Sequence, residues 1–234
     1  MPVLTVTGSL GSGARELGQA VAARLDIDFV DQQILVNAAQ RLGVPVTSVA
    51  ERDERPQSLS DRLSGILRNF LESSAATGDP LSGMGGLDTL LARSYAEMTT
   101  DGEAVKGEVR DSDYLKAITA IVQEVATKGN VVILGRGSQV ILKDSPGALH
   151  VLAVAPHNIC VERYSQRGDI SREKAAKAVQ EANRALHAFH SKFLKVEVKD
   201  PSLYDLVVNM GRLSLGAAAS LVVTAAVEKE SGKP

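Results

Sequence analysis

Short apolar runs of strand length alternate along this chain with longer segments whose apolar residues recur at helical spacing. Helix-length sequence separates each apolar run from the next, and this order of elements is typical of a parallel sheet covered by helices. The pattern therefore predicts an α/β protein with a parallel sheet. The predicted strands are Val3–Val6, Asp28–Val30, Val131–Leu134, His150–Ala155 and Tyr204–Val208.

Helical periodicity is clearest in four segments that flank these strands. The first begins at Arg15 and ends near Leu25, the second covers 113–128, and the last covers 215–227. A longer helix is expected to begin after Ser171, whose hydroxyl suits an N-cap. Its apolar stripe predicts a buried face: Ala175, Ala178, Val179, Ala182, Leu186, Phe189 and Phe193.

Residues 32–112 have a different character. A helix is predicted at 32–42, and Ser48 with Glu51 forms a capping box that begins another. From Ser73 to Ser112 the chain is rich in glycine, with one convincing helical segment at 87–98. We expect a mobile insertion there. A connector without chemical function and a cap that responds to substrate are both compatible with such a segment.

Composition narrows the class of protein. The 234 residues, 44% of them hydrophobic, suffice for one α/β core with a smaller appended segment. Lysine and arginine number 26 against 28 acidic residues, so no basic excess indicates nucleic acid or an anionic membrane. No apolar run approaches a membrane span and no signal peptide is evident, so the cytoplasm is the expected location. The single cysteine, Cys160, is expected to be a partly buried structural thiol.

The strongest chemical signal lies between the first strand and the first helix. Gly8, Gly11 and Gly13 form a loop that can turn its backbone N–H groups inward and that ends at a helix N-terminus. The unpaired donors and partial positive charge at such a terminus attract anions. Arg15, a cation in the first helical turn, is favourable there when an anion neutralises it. This segment predicts a phosphate-binding loop.

A tight turn and a dinucleotide-binding loop are the two alternatives to a phosphate-binding loop. Gly8 to Arg15 reads GSLGSGAR and lacks the lysine and hydroxyl residue of a Walker A motif, so the glycines could serve only a tight turn. A dinucleotide-binding GxGxxG would require glycine where Glu16 stands, although Asp31 lies where a ribose-binding acid would. A reductase is therefore not favoured.

Five motifs together suggest a family. They are GSGARELG at 11–18, FVD at 29–31, VVILGRGSQVIL at 131–142, HVLAVAP at 150–156 and YDLVVN at 204–209. In their order and spacing the chain resembles the cytidylate kinase-like family of P-loop nucleoside monophosphate kinases. That family has a small residue followed by arginine where Walker A proteins have lysine, as Ala14 and Arg15 stand here.

The resemblance implies a P-loop three-layer sandwich with a five-stranded parallel sheet, formed by a single domain over 1–234. Residues 32–112 would supply a helical monophosphate-binding segment and the insertion, and about 160–200 a lid. The implied reaction is phosphoryl transfer from ATP, with Mg²⁺, to a pyrimidine nucleoside monophosphate, CMP or dCMP. The implied partners are thus ATP and a nucleoside monophosphate, with no nucleic acid and no membrane.

Candidate site residues follow from the motifs and the resemblance. The ATP phosphates are expected to lie against Gly8, Ser9, Gly11, Ser12, Gly13, Ala14 and Arg15. Asp31 would contact the acceptor nucleotide, although a helix cap would look the same in the sequence. Arg136, after a glycine at the carboxyl end of a buried strand, suits the monophosphate.

Three further arginines lie in the implied lid. Arg163 and Arg167 share one face of a predicted helix, and Arg184 lies away from the apolar stripe of the next. Arginines in such places are usually solvated, but lid arginines also neutralise a transferring phosphoryl group. With Arg15, we expect Arg184 and then Arg163 to be catalytic, and Arg167 is the weakest candidate.

Other polar residues are given structural roles. His187 and His190 lie three apart on a predicted helix and are expected at its surface, because no further ligand pattern supports a metal site.

Leu134 precedes Gly135 where authentic cytidylate kinases place an aspartate that helps to organise Mg²⁺. A nucleotide-binding protein without turnover, with a regulatory or interaction role, therefore remains the alternative to a kinase.

Overall fold

The computed structural model describes residues 1–31 and 111–232. Five strands in these ranges form one sheet in the order β2-β3-β1-β4-β5, and every neighbouring pair is parallel. This confirms the predicted α/β class and five-stranded parallel sheet. The strands are β1 (Val3–Gly8), β2 (Asp28–Val30), β3 (Val131–Leu134), β4 (Ala148–Val154) and β5 (Leu206–Asn209).

Helices connect these strands. Within the described ranges they are α1 (Ala14–Leu25), α2 (Asp111–Lys128), α3 (Ser138–Ile141), α4 (His157–Gly168), α5 (Arg172–Phe189) and α6 (Leu215–Glu230). A π-helical turn, His190–Leu194, continues α5, and a 3-10 turn, Pro201–Leu203, precedes β5. In this described part no helix combines the length and apolarity needed to cross a bilayer.

The alternation of side chains along β1 separates two layers of helices. Leu4 and Val6 are fully buried in a core cluster that includes residues of α1 and α6. Thr5 and Thr7 point to the other face of the strand, where the Thr7 hydroxyl contacts Gln139 of α3. The sheet therefore lies between helices on both faces, with the carboxyl end of β1 at its centre.

Two helices begin at serine N-caps, and one of these is the expected Ser171. Ser171 accepts a hydrogen bond from the amide of Lys174, and Ser214 accepts one from the amide of Ala217, so both hydroxyls begin helices. The first predicted helix begins one residue early, at Ala14, because Gly13 adopts a left-handed conformation as its N-cap. These local signals required no knowledge of the tertiary structure.

Other boundaries differ from the predictions. Tyr204 and Asp205 of the predicted strand lie outside β5, because Asp200 caps a 3-10 turn that begins at Pro201. The helix after Ser171 passes into a π-helical turn at His190, and this turn ends at Lys195 with φ 57°. The prediction that His190 lies at the surface is wrong, because its side chain is completely buried.

Several predictions fall on residues outside the described ranges. They are the helices at 32–42 and 87–98, the helix begun by Ser48, and the glycine-rich insertion up to residue 110. Residues 111 and 112, the end of that predicted insertion, belong to α2. The single domain over 1–234, the monophosphate-binding segment and the lid stay predictions.

Candidate functional site

The loop between β1 and α1 has the backbone conformation that its glycines predict. Gly11 and Gly13 have φ of 78° and 95°, in the left-handed region that glycine adopts without strain. The first α-helical hydrogen bond joins the Leu17 amide to the Gly13 carbonyl at 2.9 Å. The amides of residues 14–16 therefore precede the bonded part of α1 and are available to an anion.

Close packing also requires two of these glycines. A Cβ on Gly8 would lie 2.5 Å from Oγ of Ser12, and a Cβ on Gly11 would lie 2.3 Å from the carbonyl oxygen of Cys160. The loop is therefore pressed against the first turn of α4. The Ser12 Oγ is buried and has no hydrogen-bond partner among the described residues, so the loop holds one unsatisfied polar group.

A cavity of about 390 Å³ opens above the loop. Its size falls within the range of about 300–1,000 Å³ that is usual for small-molecule sites. It lies at the carboxyl ends of β1 and β3, where open α/β sheets bind ligands. The lining residues are Thr7–Gly11, Gly13–Glu16, Asp31, Leu134–Arg136, Arg167, Ala182 and Leu186.

Arg15 and Asp31 meet at this cavity as an ion pair. The Arg15 Nη1 lies 2.5 Å from the Asp31 Oδ2, and the guanidinium also lies over the ring of Phe29, 6.0 Å from its centroid. Asp31 is 2% exposed and Arg15 46%, so the carboxylate anchors a cation that still reaches solvent. Two predicted site residues from separate motifs are thus brought together.

Arg136 also lines the cavity, as predicted, and is 3% exposed. Its backbone has φ 59°, a left-handed conformation that is unfavourable for a residue with a Cβ. Glycines on both sides, Gly135 and Gly137, have positive φ as well. This sharp turn after β3 directs an arginine to the cavity at a conformational cost.

Arg163 lies beside the loop and binds the backbone. Its Nη1 donates to the Ser12 carbonyl at 3.0 Å, and its Nη2 donates to the Met210 carbonyl at 2.7 Å. The guanidinium therefore joins α4, the glycine loop and the segment after β5. It stabilises the loop from behind, and a catalytic role for Arg163 stays a prediction.

The structure places the arginines of α4 and α5 in a different order from the one expected from the sequence. Arg184 is exposed and lines a separate groove with His157 and His187, whereas Ala182 and Leu186 are the α5 residues that face the cavity. A catalytic role for Arg184 stays a prediction. Arg167, the weakest candidate, does line the cavity and is ion-paired with Glu16.

Sequence reasoning therefore ranked Arg167 too low and missed Glu16. The available signal was their chemistry: an acidic residue in the first turn of α1 and an arginine four residues after Arg163 on one helix face. Only the packing of α4 on the loop shows that these two side chains meet. It also shows that Cys160, expected to be partly buried, is 2% exposed, and burial raises the pKa of its thiol.

The side chains that line the cavity decide whether the protein alone could bind Mg²⁺ there. Mg²⁺ prefers oxygen ligands and usually binds through one or two carboxylates, water and substrate phosphates. Of the described lining residues the carboxylates are Glu16 and Asp31, and each is ion-paired with an arginine. Among the described residues, these two carboxylates therefore do not form a dedicated magnesium site.

Comparison with known proteins adds to this geometry. The sequence profile of the cytidylate kinase-like family matches residues 3–212. A cytidylate kinase of Pyrococcus horikoshii is 29% identical over 102 residues, covering 44% of this chain and 52% of that protein. A cytidylate kinase of Methanocaldococcus jannaschii is 28% identical over 104 residues, covering 44% and 58%. The chain thus spans just over half the length of the curated relatives that it matches.

A solved structure has a similar fold. An uncharacterized protein from Eubacterium ventriosum superposes with a TM-score of 0.62, covering 97% of this chain and 99% of that one. The two sequences are 11% identical, so this likeness concerns the fold alone.

Proposed function

Because the chain belongs to the cytidylate kinase-like family, we propose that it transfers a phosphoryl group from ATP to a pyrimidine nucleoside monophosphate. CMP or dCMP is the expected acceptor, and the products are the nucleoside diphosphate and ADP. ATP and the monophosphate are then the partners of the protein, and the cytoplasm, where both are abundant, is its expected location.

One observation carries the proposal: the glycine loop, Asp31 and Arg136 line the same cavity. Phosphoryl transfer requires two phosphate groups to be held in line and their negative charge to be neutralised. A single cavity with an amide-rich loop on one side and a buried arginine at another strand end meets this requirement.

The described residues divide this work. Amides of the loop and the N-terminus of α1 hold the ATP phosphates, and Arg15 adds a side-chain cation in place of a Walker lysine. Arg136 binds the acceptor phosphate through its guanidinium, whose two-pronged geometry suits phosphate oxygens. An acceptor oxygen attacks the γ-phosphorus of the Mg²⁺–ATP substrate, the bond to the bridging oxygen breaks, and ADP leaves with that oxygen.

Charge on the transferring group is neutralised from the lid side as well. Arg167 is the lid arginine at the cavity, and its ion pair with Glu16 holds it near the first turn of α1. Arg163 and Arg184 are further proposed lid arginines. Arg184 lies in its separate groove, so it would contribute only through an extension of its own side chain toward the transferring group.

The alternative function is nucleotide binding without efficient turnover. Leu134, directly before Gly135, gives the cavity an apolar wall where an aspartate would organise the metal. A regulatory or interaction protein would keep the loop and bind ATP, but it would not release ADP.

A coupled assay separates these functions. The protein is incubated with ATP, Mg²⁺ and a panel of ribo- and deoxyribonucleoside monophosphates, and ADP release is measured. The kinase proposal predicts ADP release that depends on a pyrimidine monophosphate. If ATP protects the fold against heat while every monophosphate leaves ADP release at background, the binding function is correct.

A further inference from the structure

Two residues on different walls of the cavity, Thr7 and Leu186, are connected behind the wall by a chain of three hydrogen bonds. The Thr7 hydroxyl lies 3.1 Å from Oε1 of Gln139, and Nε2 of Gln139 lies 3.0 Å from Nε2 of His190. The Nδ1 of His190 lies 2.8 Å from the carbonyl oxygen of Leu186. We call Gln139 and His190 the bridge.

The chemistry of these groups fixes the direction of each bond. The Leu186 carbonyl can only accept, so Nδ1 of His190 carries the hydrogen and Nε2 of the neutral ring accepts. The amide nitrogen of Gln139 must then face Nε2, and its oxygen faces the Thr7 hydroxyl. Burial lowers the pKa of His190, which favours the neutral ring that this arrangement needs.

A fourth bond holds the bridge in place. The amide nitrogen of Gln139 also lies 3.3 Å from the hydroxyl oxygen of Tyr204, which donates its own hydrogen to the Val198 carbonyl at 2.7 Å. Gln139 is 1% exposed and His190 is fully buried. A buried network whose donors and acceptors are matched in this way is rigid and specifies one arrangement.

The bridge joins elements that the reaction must hold together. Thr7 is the last residue before Gly8 of the loop, and Gln139 follows Arg136 by three residues. His190 begins the π-helical turn at the end of α5, and such turns are frequent at functional sites. Since Leu186 faces the cavity, the bridge sets the separation between the loop and α5.

We propose, resting on the kinase function above, that Gln139 is a positioning residue for phosphoryl transfer. It does not line the cavity. Through His190 and Thr7 it keeps α5 at a fixed separation from the loop, so that the two phosphates stay in line. A displacement of about 1 Å at a reacting centre costs on the order of 100-fold in rate.

The principal test is Gln139→Met, which keeps the length of the side chain and removes its hydrogen bonds. Calorimetric titration with ATP gives the concentration of active sites. The kcat is then expressed per active site, and the KM of each substrate is measured alongside it. We expect kcat to fall about 10- to 100-fold, while the Kd of ATP and both KM values change by less than about three-fold. A purely structural defect would lower the active fraction and leave kcat per site unchanged.

Thr5→Val is the matched control. The Thr5 hydroxyl lies on the same strand, is equally buried, and bonds to Nδ1 of His150 at 2.8 Å, outside the cavity. Its loss should lower stability comparably and leave kcat at the wild-type value. Tyr204→Phe removes one bond to Gln139 and should give a smaller decrease in kcat, which tests the proposal should Gln139→Met fail to fold.

The proposal is overturned if Gln139→Met and Tyr204→Phe both match Thr5→Val in kcat per active site. A wild-type protein that transfers no phosphoryl group would instead refute the kinase function. Whether the bridge holds the end of α5 in place is then tested by amide hydrogen exchange of the protein without ligand. Faster exchange at 186–194 in Gln139→Met than in Thr5→Val supports the bridge, and equal exchange refutes it.

Discussion

The Nη1 of Arg15 lies 2.5 Å from Oδ2 of Asp31, so the first turn of α1 is ion-paired with the residue that follows β2. Asp31 is almost fully buried, whereas nearly half of the Arg15 side chain is exposed. The carboxylate therefore orients a cation that can still contact a ligand in the cavity. An arginine held in this way loses less conformational entropy when it binds phosphate.

Arg15→Ala is expected to weaken ATP binding. Charge-assisted hydrogen bonds contribute about 1.5–3 kcal/mol, so the Kd of ATP should rise about 10- to 100-fold by calorimetry. Arg15→Lys keeps the charge without the planar guanidinium, so its Kd for ATP should lie between those of the wild type and Arg15→Ala. An unchanged Kd in Arg15→Ala would remove this residue from the ATP site.

Arg136 permits a comparison of two substitutions at one position. Arg136→Ala and Arg136→Gly both remove the guanidinium and should raise the KM of the acceptor about 10- to 100-fold, with the Kd of ATP within about three-fold. Equal losses for acceptor and ATP would contradict the assignment of Arg136 to the monophosphate.

The same pair separates function from backbone strain. Because Arg136 has φ 59°, glycine relieves a conformational cost that alanine retains. Arg136→Gly should therefore be about 1 kcal/mol more stable than Arg136→Ala in urea unfolding. The reverse order would show that this turn is not strained.

Gly11→Ala is expected to abolish ATP binding. Its Cβ would lie 2.3 Å from the Cys160 carbonyl oxygen, and its φ of 78° disfavours alanine, so the loop must move. Gly147→Ala is the control, because Gly147 has a φ of 77° and open space around its Cβ position. The control should lose about 1 kcal/mol of stability and bind ATP normally. Equal ATP binding by the two variants would contradict the proposed loop.

Stability should decrease as the solution is acidified from neutral pH. Burial lowers the pKa of both His150 and His190 below 6.5, so the unfolded chain takes up protons at these rings before the folded protein does. The free energy of unfolding is therefore highest above pH 6.5 and falls as the pH drops through 6.5 toward the lowered values. Urea unfolding between pH 8 and 5 measures this.

Variants identify the source of that dependence. Burial is the largest cause of the lowered pKa of both rings. The charges of Asp205 and Lys229 have smaller effects on the pKa of His150, and those of His187 and Glu197 on the pKa of His190. His150→Gln should give a flatter stability profile between pH 7 and 5. A wild-type profile that is flat or rises on acidification would contradict the burial of neutral imidazoles.

Much of the fold could be predicted from the sequence because its signals are local. Val3 to Leu25 specifies a strand, a turn and a helix through apolar spacing and glycine alone. Ser171 and Ser214 begin helices through bonds within four residues. Asp31 and Arg136 could be predicted because each follows a strand end, and parallel strand ends meet at one edge of a sheet. Arg15 could be predicted because it is a cation in the first helical turn after the glycine loop.

The remaining features depend on how separate elements pack. Whether Arg167 or Arg184 faces the cavity depends on the rotation of α4 and α5 about their axes, which their own sequences do not determine. His190 is buried because the π-helical turn and α3 enclose it. Its partner Gln139 lies 51 residues away, so no local pattern indicates the contact.

The most direct test of the account is a crystal structure of the protein with Mg²⁺ and a non-hydrolysable ATP analogue. We predict that the β- and γ-phosphates lie within hydrogen-bond distance of the backbone amides of residues 13–16, with the Arg15 guanidinium beside them. An analogue whose phosphates bind elsewhere on the protein, leaving those amides to water, would contradict it.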